Sequence, residues 1–169
     1  MNFDSSKVYK RYLERGDSMK DYEINSSTLA IVPLDDKVSK VYEEEDEYIV
    51  QKSANSIIKD NCQFYGSSYE GRCVGTKCLT GIKTKYPIII EESRNIIFFP
   101  TSSIRTRQST WIALNKIKKY IKNNYNSQII FKNEEKIDLD ISLYSLENQI
   151  IRATLLKSKL YERKLEEKN

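Results

Sequence analysis

The stretch Pro87-Ile88-Ile89-Ile90-Glu91-Glu92-Ser93-Arg94-Asn95-Ile96-Ile97-Phe98-Phe99-Pro100 sets two runs of β-branched and aromatic residues on either side of a polar link. Such runs favour a pleated, buried surface. With Glu91 to Asn95 as the connection and Pro100 as the stop, the segment reads as a β-hairpin. Upstream, Ile57, Ile58, Cys62 and Phe64 fall at near-helical spacing between Ser53 and Phe64, and Gly66 follows as a terminator. Ser67-Ser68 then caps a second helix that runs to about Leu79, with Glu70 early in it.

Closer to the start, Tyr22 to Asn25 and Thr28 to Pro33 are β-type runs parted by a turn. Lys40 to Glu43 and Tyr48 to Val50 form another pair around an acidic tip, Glu44 to Glu47. Residues 1–20 are polar and read as a short helix or loose arm. Downstream of Pro100 lies a polar loop, Thr101 to Thr110, with Arg105 and Arg107. Trp111 to Leu114 is apolar again, and Asn115 to Tyr120 reads as a basic helical turn or two. Gln128 to Lys132 and Lys136 to Ile141 suggest a hairpin around Asn133-Glu134. From Ser145 to about Glu166, Leu146, Ile150, Ala153, Leu156 (or Leu155) and Leu160 line one side of a helix. That stripe can pack on its own sheet or on a second subunit. The expected fold is α+β: an arm over 1–20, then one domain over 21–169. Its parts are antiparallel hairpins, two central helices and a long C-terminal amphipathic helix.

Composition narrows function by exclusion. A chain of 169 residues is one domain's worth, and it contains no histidine. Ser-His-Asp and Cys-His triads and imidazole metal sites are therefore excluded. Cys62, Cys73 and Cys78 are an odd number without C-x-x-C spacing, so reduced thiols in a cytoplasm are expected rather than a disulfide framework or metal site. No apolar run approaches the roughly 20 residues of a membrane span, and the opening Met1 to Lys7 has no export pattern. Gly66 to Lys77 matches neither G-x-G-x-x-G nor G-x-x-x-x-G-K-[ST]. No cofactor is expected. Glu91-Glu92 and Asp138-Asp140 are the carboxylate pairs a Mg²⁺ nuclease would need, but turns and alternating strand faces usually hold solvated charge, and no enzyme assembles from them.

The net charge of +4 conceals a segregation. Between Lys59 and Lys122 twelve basic residues face four acids, a local +8 that leaves −4 elsewhere, much of it between Asp35 and Glu47. A basic middle of this kind suits phosphate neutralisation and counterion release, and Arg105-Thr106-Arg107 suits entry into a narrow A·T minor groove. The competing explanation is a solvated basic face, or a protein-interaction module whose acidic and basic regions bind another chain.

Several stretches in series resemble the ComK family of competence transcription factors: Cys62 to Arg72, Gly75-Thr76-Lys77, Lys85-Tyr86-Pro87-Ile88, Phe98-Phe99-Pro100-Thr101, Trp111-Ile112 and Ser145 to Gln149. With Tyr22 to Asn25 and Thr28 to Ala30, the similarity spans roughly residues 20 to 165. It implies a cytoplasmic, nucleoid-associated activator of DNA-uptake genes. Such a protein binds runs of A and T in promoters from the minor-groove side as paired dimers, assists RNA polymerase and catalyses nothing. Two departures stand out. Ser109 occupies a loop position where the family often has Cys. The chain also stops at Asn169, short of the tail through which better-known members meet a Clp protease adaptor, so the resemblance does not carry that control over unless another segment serves it.

Mapped onto matching positions, Ser67 and Ser68 would offer hydroxyls and helix-N-terminal amides to phosphate, with Arg72 and Lys77 about a turn apart on the helix behind them. Lys83 and Lys85 lead into the next strand, Arg105 and Arg107 are the groove candidates, and Lys116 and Lys118 complete the expected DNA-binding set. Gly66 can equally serve only to end a helix, and Phe98, Phe99 and Trp111 suit a core better than base stacking.

Overall fold

The computed structural model describes residues 17–106 and 109–168. Most of the arm expected over 1–20 therefore lies outside the described residues. Ser18–Met19 forms a short strand, β1, followed by β2 (Thr28–Pro33), β3 (Ser39–Glu43) and β4 (Glu47–Val50). Helices α1 (Ala54–Phe64) and α2 (Tyr69–Thr80) come next, then β5 (Ile88–Glu91), β6 (Ile96–Pro100) and β7 (Trp111–Ala113). A 3₁₀ turn, Leu114–Lys116, leads into β8 (Ile117–Asn123), β9 (Asn126–Phe131), β10 (Lys136–Leu139) and the long helix α3 (Leu143–Glu166). The α+β expectation holds, including the β5–β6 hairpin, the two central helices and the long final helix.

Seven strands form one sheet in the order β1-β4-β3-β2-β7-β6-β5, antiparallel throughout except for β1 beside β4. Strands β10-β9-β8 form a second, smaller antiparallel sheet. The large sheet is buried on both faces, which is why its central strands are apolar without alternation. Ile88, Ile90, Ile96, Phe98, Trp111 and Ala113 face α1 and the start of α2. Their neighbours Ile89, Ile97, Phe99 and Ile112 face the other way, against α3 and the small sheet's Ile129, Phe131, Ile137 and Leu139. Phe98, Phe99 and Trp111 are fully buried, as a core role requires.

The α3 stripe is used inside the molecule. Leu146, Ala153 and Leu156 are buried in the second core, with Ile150 and Leu160 packed at its margin, and Leu155 lies on the outer side. Two local expectations fail. Residues 115–120 hold only the end of the 3₁₀ turn, and from Ile117 onward they are strand. Ile117 and Tyr120 pack against the second core while β8 pairs with β9, Tyr120 opposite Ile129, so a non-local ladder overrides the local basic pattern. Tyr22 to Asn25 joins no sheet although Tyr22 and Ile24 are buried. Its backbone is met instead by Asn61 of α1, which accepts from Ile24 N at 2.8 Å and donates to Tyr22 O at 2.9 Å.

Candidate nucleic-acid interface

Strand register fixes which loops lie together. Ile88 sits opposite Phe98, Pro100 opposite Trp111, Trp111 opposite Ile31, and Pro33 opposite Ser39. The loop before β5 (81–87), the β6–β7 loop (101–110) and the start of α1 therefore open at one end of the large sheet. The acidic β3–β4 turn and the β5–β6 turn lie at the other.

The α1–α2 junction is built from hydrogen bonds. Ser67 N donates to Cys62 O and Gly66 N to Gln63 O, a Schellman closure that puts Gly66 at φ 84°. The helix-ending role read for Gly66 is thus the one it fills. Ser68 caps α2 by accepting from Gly71 N at 3.0 Å. A Cβ at Gly71 would meet Ser68 Oγ at 3.0 Å, so the glycine keeps the cap uncrowded. Tyr69 turns inward to an edge-on contact with Trp111, at 6.5 Å between ring centroids, while Lys59 lies over its other side. Burial pushes the Cys62 thiol up to about 11 and raises that of Cys73, so both stay protonated near neutrality. Among the described residues no group of three Cys, Asp or Glu side chains is arranged to hold a metal ion.

Helix α2 wraps the β5 edge, reaching from the first core to the second through Tyr69, Cys73 and Leu79, and Thr76 Oγ1 donates to Pro87 O at 2.7 Å. Arg72 is half-buried on this helix, its Nε buried without a hydrogen-bond partner, and Lys77 is exposed one turn on. Gly81 (φ 76°) ends the helix and releases the 81–87 loop, in which Lys83 and Lys85 are exposed. Lys85 takes up a left-handed backbone (φ 47°) and is held there from α3. Gln149 Nε2 donates to Lys85 O and Pro100 O, and Arg152 donates to Thr84 O.

The 101–110 loop has a stiff neck. Thr101 and Thr110 bond through their backbones, and the buried Ser109 hydroxyl donates to Ser102 O. Asn55 of α1 pins the loop from beside it, donating to Ile104 O and accepting from Trp111 Nε1. Arg105 is left exposed on a turn closed by Thr106 N to Ser103 O. Arg107 lies outside the described residues. Asn55, Gln149 and Arg152 position the loops from neighbouring elements. No local signal marks them, because each acts across more than 45 residues of chain.

Among the described residues, Arg72, Lys77, Lys83, Lys85 and Arg105 form no ion pair. Lys116 and Lys118 sit apart from them. Lys116 is bonded to Glu44 and Lys118 to Glu134, near the acidic end. The basic zone is limited to the β5–β7 side, since the β2–β3 loop at the same end carries Asp35 and Asp36. Within that zone, cations on a helix flank and two anchored loops are left without a carboxylate partner among the described residues.

A family model described as ComK protein matches residues 19–165. A competence transcription factor from Bacillus subtilis (strain 168) is 34% identical over 149 residues, which cover 86% of this chain and 78% of that relative. No solved structure matches.

Proposed function

The chain belongs to the ComK protein family, and on that premise we propose that it is a transcriptional activator of competence genes that binds A/T-tract promoter DNA from the minor-groove side. Its relative's designation as a competence transcription factor supports the regulatory part of this reading. The observation that carries the DNA-binding part is that Lys83, Lys85 and Arg105 share one end of the sheet, with Arg72 and Lys77 on the helix that leads to it, none of them in an ion pair among the described residues. A cation with no carboxylate to leave can meet a phosphate and release condensed counterions at full effect. Ser67 and Ser68 at the α2 start add hydroxyls and amides, while Arg105 and Arg107 enter the groove. The reading extends to paired dimers on DNA, to assistance of RNA polymerase and to a cytoplasmic, nucleoid-associated site of action. Lys116 and Lys118 contribute least to it.

A band-shift titration tests this directly. Binding to a duplex with A and T runs should survive competition by G·C-rich DNA and weaken steeply with salt. Equal affinity for the two duplexes removes the sequence preference, and no binding to either removes the function.

A further inference from the structure

We infer that the β8–β9 hairpin is a second contact to duplex DNA, with Lys122 against phosphate and Tyr125 leading at its tip; the inference rests on the DNA-binding reading above. The hairpin turns through two residues, Asn124-Tyr125, between the paired Asn123 and Asn126. Asn124 adopts φ 56°, a conformation that asparagine tolerates better than most residues, so the tip is tight and its side chains are thrown outward. Tyr125 is 94% exposed, more than any other large hydrophobic residue described. A tyrosine so placed earns nothing in the fold, while its flat ring and hydroxyl suit the sugar edges and groove wall of nucleic acid.

Contacts along α3 give the hairpin its direction. Gln149 touches Pro100 at the loop-bearing end of the large sheet, whereas Lys164 reaches Glu92 at the opposite end, so α3 runs from the first end to the second. Ser127, next to the hairpin tip, donates to Ile141 O just before α3 begins, while Asn133 beyond β9 donates to Glu44 O of the acidic turn. Strand β9 therefore runs the same way as α3. The tip stands beside the α3 N-terminus, about 10 Å beyond Gln149 at 1.5 Å per helical residue, at the end occupied by the 81–87 and 101–110 loops.

Charge changes along the hairpin in the same sense. Lys116 and Lys118 at its base are ion-paired and Lys119 beside them lies within electrostatic reach of Glu134, whereas Lys122 toward the tip forms no ion pair among the described residues. The nearby acids are engaged by amides: Asp138 accepts from Asn123 and Gln128, and Asp140 accepts from Asn126.

Lys122→Ala in the full chain should flatten the salt dependence of A/T-duplex binding by about one in the log–log slope. Tyr125→Ala should weaken binding about fivefold and leave the slope unchanged. Lysine acetylation of the unsubstituted protein, with and without duplex, gives a readout independent of any variant's folding, and Lys122 should be protected by DNA. If the unsubstituted protein binds the duplex while slope and acetylation stay unchanged, the hairpin contact is wrong and the function stands. If it binds no duplex at all, both fall together.

Discussion

The two ends of the large sheet use the same residue types for opposite purposes. At the end holding the β3–β4 and β5–β6 turns, cations are spent on carboxylates: Arg94 on Glu91 at 3.0 Å, Lys164 on Glu92, Lys116 on Glu44. On the β5–β7 side of the other end, Lys83, Lys85 and Arg105 project from loops tied down by Gln149, Arg152 and Asn55, and they form no ion pair among the described residues. A basic residue's count in the sequence therefore says less than its neighbours do. The comparison breaks most visibly under charge removal. Lys83→Ala, Lys85→Ala and Arg105→Ala together should lower A/T-duplex affinity roughly 100-fold, at about 1 kcal/mol per lost charged contact. Lys116→Ala with Lys118→Ala should change it no more than about threefold, since those ammonium groups must first leave Glu44 and Glu134. Equal losses in a salt-titrated band shift would mean that the two ends do not differ as described.

That difference was only half legible in the sequence. The hairpin 88–100, both central helices, the Gly66 stop and the Ser68 cap can all be read, because each is decided within a few residues by propensity and capping. The sequence segregation into a +8 middle and an acidic remainder is also real. Folding nevertheless brings Glu44 to Lys116 across 72 residues, so part of the basic middle is neutralised by the acidic run. No count along the chain reveals this. Strand β8 was missed for the same reason: Ile117, Tyr120 and three lysines look helical until β9 supplies a partner. Tyr22 to Asn25 failed in the opposite sense, since its backbone is met by the side chains of Asn61 and Tyr65 in place of a strand.

A smaller effect probes how the α2 start is positioned. Gly66→Ala introduces a Cβ that meets nothing within 4 Å, so the whole penalty comes from holding φ 84° with an L side chain. A loss of about 1–2 kcal/mol is expected in urea unfolding. Because the Schellman turn aims Ser67 and Ser68, DNA affinity should fall along with stability. A variant as stable as the parent would show that the junction relaxes freely and does not fix the α2 start.

The smallest effect belongs to the paired end, where charge serves the fold. Glu91 is held well below the usual carboxylate range, at about 2, first by the Ser93 hydroxyl and then by the Ser93 and Arg94 amides and the Arg94 side chain. A carboxylate whose folded pKa is depressed stabilises the fold above its unfolded value, near 4.3, and loses that contribution as pH falls toward 2. Glu91→Gln keeps one acceptor oxygen but cannot titrate. The gap in unfolding free energy between parent and variant should therefore be constant from pH 7 to about 5 and close as pH approaches 2. It should not exceed about 1 kcal/mol, because the turn lies at the surface and water screens it. A gap that persists unchanged to pH 2 would assign the turn's stability to neutral hydrogen bonding. The acidic end would then differ from the basic one in shape and not in its use of charge.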